Sequence, residues 1–190
     1  MSHKALVFLS CGQHDGERQL AAQVQQLIES DEFSLACYNA DSRQGFDDVM
    51  SITEHLSRAD YYLFIDFKRP GEMPISVFTH QEFALARAWG ITEMLAFKER
   101  GLASHGMLDY VLAHPVEFDR PELLNLVREN IRSKGWRPDY SRNLVPSALV
   151  CTEQPVPYSD HHGANFEKIW RIEIQNRRAD RSDQHHCDPR

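Results

Sequence analysis

The chain has no uninterrupted apolar run near the ~18 residues that a membrane-spanning helix needs, and its mean hydropathy is -0.52. A membrane partner is therefore not expected. It also has no P-loop and no G-x-G-x-x-G, the two common Gly-rich phosphate cradles. The four cysteines, Cys11, Cys37, Cys151 and Cys187, are scattered with no C-x-x-C between them. That spacing excludes a zinc ribbon or a thioredoxin-like motif. Positive charge is in deficit, with 21 Lys and Arg against 28 Asp and Glu and a net charge of -7. The deficit falls in the first 136 residues, which hold 13 basic and 20 acidic side chains, whereas residues 137–190 hold eight of each. Phosphate backbones need clustered cations, so nucleic acid is not the main partner. A single Lys precedes the first apolar run, and no signal-peptide pattern is present. A cytoplasmic protein with free thiols is the expectation.

What is present is ordinary globular material: 190 residues, 42% apolar and 26% charged. The length suits one domain, or one with a fragment of another. Through residue 136 the chain alternates strand and helix signals. Ala5 to Leu9 is a continuous apolar run, as in a strand buried on both faces. Glu17 to Glu29 carries Leu20, Val24, Leu27 and Ile28 at helical spacing. Phe33 to Tyr38 reads as a second strand and Asp47 to Ala59 as a second helix. Tyr61 to Ile65 is the strongest strand signal. Val77 to Trp89 follows as a helix, then strands at Glu93 to Phe97 and Val116 to Phe118. A short helix is expected at Leu108 to Leu112. Pro121 opens a last helix, which ends at Gly135.

This alternation predicts an α/β, flavodoxin-like three-layer domain over residues 1–136, with a parallel sheet of about five strands. Residues 137–190 are interrupted by Pro138, Pro146, Pro155 and Pro157. They read as a linker and a short β-rich C-terminal extension, the start of a truncated second domain, with strands near Ala148 to Cys151 and Trp170 to Ile174.

In open parallel sheets, ligands bind beyond the carboxyl ends of the strands. The most informative segment there is Ser76 to Ala86. On a helix, Phe78, Glu82, Leu85 and Trp89 share one face. A carboxylate inside an apolar stripe is costly, because desolvation disfavours its charge, and a functional site justifies that cost. The competing reading is a capping box, with Thr79 as N-cap and Glu82 three residues on. If Ser76 caps instead, Glu82 sits mid-helix and the capping reading fails. Both readings stand at this level.

Ser76-x-Phe78-Thr79-x-x-Glu82-Phe83-x-x-Ala86 resembles the S-x-W-C-x-x-E-L-x-x-A signature of Toll/interleukin-1 receptor (TIR) domains. Val7 to Ser10 with Asp15, then Asp41, Arg43 and Gly45, then Leu63 to Asp66, resemble other family segments in the same order. The loop after the second strand lacks the family's Pro, and Phe78 replaces Trp. Nucleoside 2-deoxyribosyltransferases are a sister resemblance through Glu82 to Gly90. Both resemblances imply cleavage of an N-glycosidic bond, with NAD as substrate in the first and a deoxynucleoside in the second. They imply no separate cofactor.

That chemistry suits a fixed carboxylate, which stabilises an oxocarbenium-like transition state or acts as nucleophile. Glu82 is therefore the catalytic candidate. Ser10, Cys11, Gly12, Asp15, Arg43, Phe46 and Phe78 are the substrate-binding candidates. Backbone amides of Ser10 to Gly12 offer a phosphate cradle before a helix, Arg43 a phosphate partner, and Phe46, Phe78 or Trp89 a stacking ring. For Arg43, Phe46 and Phe78 taken singly, a solvated or packed residue is the simpler reading. Cys11 lacks a His–Asp pair and reads as an incidental thiol. His161, His162, His185, His186 and Cys187 lack zinc-finger spacing and read as solvated tail, so no metal site is expected. The TIR resemblance further implies an immune effector that self-associates as a homo-oligomer through this domain, the loop Asp41 to Phe46 taking part. A non-catalytic self-association module, and a nucleoside enzyme, are the rival functions.

Overall fold

The computed structural model describes residues 4–12, 14–39, 46–69, 77–102, 115–155 and 166–176. The chain separates into two compact units, Met1–Ser141 and Arg142–Arg190. The first contains five strands, β1 (Leu6–Cys11), β2 (Ala36–Asn39), β3 (Tyr61–Asp66), β4 (Met94–Glu99) and β5 (Val116–Phe118). They form one sheet in the order β2-β1-β3-β4-β5, and every pairing is parallel. This is the doubly wound flavodoxin-like order, and it is the fold class the alternation predicts.

Among the described residues four helices flank the sheet: α1 (Asp15–Glu29), α2 (Phe46–Arg58), α3 (Val77–Ala88) and α4 (Leu123–Lys134). The core divides at the sheet. One half joins Val7, Leu9, Leu63, Ile65 and Phe97 to Val24 and Ile28 of α1 and Val127 and Ile131 of α4. The other joins Phe8, Tyr62 and Phe64 to Ile52 and Leu56 of α2 and Phe83 and Ala86 of α3. The strand period of two sends odd and even residues of β1 and β3 to opposite halves, which makes three layers. All six residues of β3 are buried, as a central strand covered on both faces must be.

Several boundaries differ from the sequence reading. β1 runs on to Cys11, so Ser10 and Cys11 are strand residues and not loop residues. Phe33 precedes the second strand, in a turn, although it is buried. Gly135 ends α4 with φ 65°, a left-handed conformation that favours glycine. Beyond it, Trp136 and Tyr140 both stack on Tyr61 at 4.5 and 5.0 Å. The helix expected at Leu108 to Leu112 and the loop from Asp41 to Gly45 lie outside the described residues. Among the described residues, no helix is long and apolar enough to cross a membrane.

The second unit is an antiparallel hairpin of β6 (Leu144–Pro155) and β7 (Phe166–Asn176). Trp170 therefore has its sheet partner in Cys151. Both strands are longer than their sequence signals, because cross-strand hydrogen bonding extends past the residues that alternate.

Candidate active site

The strand order reverses between β1 and β3. In this topology the crevice beyond their carboxyl ends is where ligands bind. Ser10 and Cys11 end β1, opposite Phe64 and Ile65 of β3, and Asp66 follows as the last residue of β3. α3 packs over the even-numbered face of these strands and brings Glu82 onto them.

Glu82 lies in the middle of α3, and Thr79 is already a helical residue. Thr79 therefore cannot be the N-cap, and the capping-box reading fails. The buried face of α3 is Thr79, Glu82, Phe83 and Ala86. Leu85 is 41% exposed, which removes it from the expected stripe, while Trp89 is half-buried and packs on the same side of the sheet as Phe83. Phe83 sets the orientation. It is fully buried, with its ring against Tyr62 and Phe64, and a larger ring outcompetes Leu85 for the sheet. Glu82, one residue before it, is carried inward as well.

The Glu82 carboxylate is 7% exposed and accepts a hydrogen bond from Ser10 Oγ at 2.5 Å. Burial pushes its pKa up to about 7, against the opposing pull of the Ser10 hydrogen bond. The group therefore changes charge near neutral pH, the property required of an acid–base or electrostatic catalyst. Two other polar groups feel its charge. Tyr62 is wholly buried, and desolvation followed by the Glu82 charge holds its phenol well above the ordinary range. Cys11 is buried and donates to Asn39 Oδ1 at 3.7 Å. Desolvation, then the Glu82 and Glu17 charges, raise its thiol far above the usual value while Arg69 opposes them. Cys11 is thus a neutral thiol and not an activated nucleophile.

A second polar pair lies between the same two elements. His80 Nε2, on α3, is 3.3 Å from Asp66 Oδ2 at the end of β3. Both side chains are largely buried, and the His80 ring meets Phe64 edge-on. Sequence reasoning included Asp66 only as the end of a family-like strand and passed over His80. A carboxylate closing the most apolar strand was the available signal.

Gly12 follows β1 at the expected loop. A Cβ there would meet the Glu17 carboxylate and the Arg69 guanidinium, so a larger residue would have to displace that pair. Arg69 grips Glu17 through two bonds of 2.9 Å, and the His14 backbone N–H donates to the same carboxylate at 3.0 Å. The α1 terminus thus already holds an anion, supplied by the chain itself. Lys68 N–H donates to Glu99 Oε2 at 2.8 Å, so the start of the β3–α3 connection is tethered on both sides.

Burial alone would raise the Glu17 pKa. Bonds from Arg69 and His14, and the Arg69 charge, outweigh it and leave the pKa below the usual 4.5. A depressed carboxylate contributes stability above about pH 4.5, and this is lost as pH falls through its folded value. Glu17→Gln should therefore cost about 1–3 kcal/mol at pH 7 and progressively less below about pH 4. Urea denaturation of both proteins between pH 3 and pH 7 checks this; a gap that persists at pH 3 would contradict it.

The remaining binding candidates divide. Asp15 opens α1 and Phe46 opens α2, while Phe78 is the second residue of α3; their side chains, and all of Arg43, lie outside the described residues. Among the described residues no three His, Cys, Asp or Glu side chains converge as a metal site; His161, His162, His185, His186 and Cys187 lie outside them.

No protein-family model matches the sequence, and no curated protein matches it. Solved structures do match, among them that of a CMP N-glycosidase from Clostridium botulinum. It is 18% identical, with a TM-score of 0.48, over 65% of this chain and 98% of that one.

Proposed function

We propose that this protein is an enzyme that cleaves the N-glycosidic bond of a nucleoside or nucleotide, with Glu82 as its central residue. The observation that carries the reading is the buried Glu82 carboxylate, oriented by Ser10 at the carboxyl ends of β1 and β3. Breaking a sugar–nitrogen bond leaves the electron pair on the base and builds positive charge on the sugar carbon. A desolvated carboxylate opposes that charge strongly and needs no reorganisation, or it adds to the carbon as nucleophile. Water then completes hydrolysis at the same carbon. A nucleobase departs as an anion that takes up a proton, for which the Asp66–His80 pair on the same two elements is placed, whereas nicotinamide leaves NAD as a neutral molecule and takes none.

NAD is the substrate favoured by the resemblance of Ser76 to Ala86, with nicotinamide as the leaving group; nucleosides are the alternative. Incubation with NAD, with cytidine monophosphate and with deoxynucleosides, followed by chromatography of the products, tests the reading. Free base from any of them, absent in Glu82→Gln, supports it. Release of nicotinamide selects NAD, and base exchange selects the nucleoside enzyme. If wild-type protein leaves every substrate intact at high concentration, the reading is wrong and a non-catalytic module replaces it.

A further inference from the structure

Tyr62 carries an orphan group. Its ring is fixed at 5.8 Å from Phe8 in a stacked arrangement and against Phe83, and the residue is entirely shielded from solvent. Its hydroxyl makes no hydrogen bond. Ser10 lowers its pKa as a hydrogen-bond partner does, although the two hydroxyls fall short of full hydrogen-bond geometry. A buried hydroxyl without a partner costs stability that a phenylalanine would not. The packing would lose nothing by that replacement, because only the ring makes the contacts named above.

The unused donor borders a dyad that has a use for it. Ser10 Oγ gives its only proton to Glu82, which leaves the Ser10 oxygen as an acceptor. An O–H of Tyr62 directed at that oxygen would be satisfied by it. Hydrogen bonds in series polarise one another, so the Ser10 bond to Glu82 would strengthen.

We propose that Tyr62 is a positioning residue that acts on Glu82 through Ser10, its hydroxyl donating to Ser10 Oγ when Glu82 carries charge. No proton is transferred along the chain; each hydroxyl keeps its own and only the hydrogen-bond geometry changes. With Glu82 neutral, the demand on the Ser10 bond falls and the Tyr62–Ser10 contact is free to relax. With Glu82 charged, Tyr62, Ser10 and Glu82 form a continuous donor chain that stabilises the carboxylate without admitting water. Among the described residues, the titratable groups around Glu82 are Cys11 from β1, Tyr62 from β3, and the Asp66–His80 pair between β3 and α3. Tyr62 alone among them offers a donor to Ser10. The role deepens the proposed function by explaining how a desolvated carboxylate keeps its reactive, charged form, and it rests on that reading only for its purpose.

The test needs no substrate, so its failure is separable from failure of the proposed reaction. The Glu82 carboxyl carbon, 13C-labelled, is titrated by NMR in wild type, Tyr62→Phe, Ser10→Ala and the double variant. Tyr62→Phe should raise the Glu82 midpoint by about 0.5–1 pH unit. On the Ser10→Ala background the same change should have no effect, because the link is gone. Below about pH 6, where Glu82 is protonated, Tyr62→Phe should also melt no lower than wild type, since it removes an unsatisfied group. An unchanged midpoint in Tyr62→Phe, or an equal shift with and without Ser10, overturns the proposal.

Discussion

Glu82→Gln should lower the rate of glycosidic cleavage by a hundredfold or more while raising stability above neutral pH. The rate loss follows from removing a preorganised charge in a dry site, worth about 3 kcal/mol or more of barrier. The stability gain follows from linkage. The folded-state pKa of about 7 lies above the unfolded value of 4.5, so folding is favoured most when Glu82 is protonated. That contribution is full below about pH 4.5 and is lost as pH rises through 7. Glutamine keeps the shape without the charge and avoids the loss. The variant should therefore exceed wild type by at most about 3 kcal/mol at pH 8, with the gap closing toward pH 5. Single-turnover cleavage and thermal melts across this range measure both effects. Wild-type activity should itself rise with pH toward a plateau above 7, as the carboxylate ionises. An active Glu82→Gln protein would remove Glu82 from the mechanism, and a variant less stable at pH 8 would show that its charge is not strained.

Phe83→Ala should cost about 3–5 kcal/mol of stability. The side chain is completely buried and joins Tyr62 and Phe64 to α3, so truncation leaves a cavity that rigid strand neighbours cannot fill. For a domain with a total stability of about 5–15 kcal/mol this is a large fraction. Leu85→Ala, on the exposed side of the same helix, should stay within about 0.5 kcal/mol of wild type. Denaturant melts of the two variants measure the contrast. Equal losses would mean that α3 is rotated from the orientation described here, and that Glu82 does not face the strands. Cleavage by Phe83→Ala should fall further than its stability loss predicts, because Phe83 holds α3 on the strands and about 1 Å of misplacement of the adjoining Glu82 costs on the order of a hundredfold in rate.

Much of this could be read along the chain. Apolar runs at Val7 to Leu9 and Tyr61 to Ile65 identified buried parallel strands, because residues covered on both faces cannot alternate. Helical spacing at Leu20, Val24, Leu27 and Ile28 marked α1. Their alternation fixed the fold class, and the fold class located the crevice. Glu82 stood out as a carboxylate within an otherwise apolar helix. Whether it was a cap or a site residue could not be decided locally, since both readings share the same spacing; the helix start at Val77 decided it.

Composition, period and breaker residues determined the elements and their kind, because those depend on neighbours a few positions away. The tertiary structure decided which side of α3 meets the sheet, since Phe83 and Leu85 are comparable in apolarity and only the fit against Tyr62 and Phe64 separates them. It also decided the partners: Ser10 with Glu82, 72 residues apart, Glu17 with Arg69, 52 apart, and His80 with Asp66. No local pattern encodes such pairs. They exist because parallel strands bring their carboxyl ends together, and because a buried charge must find a donor wherever the chain supplies one.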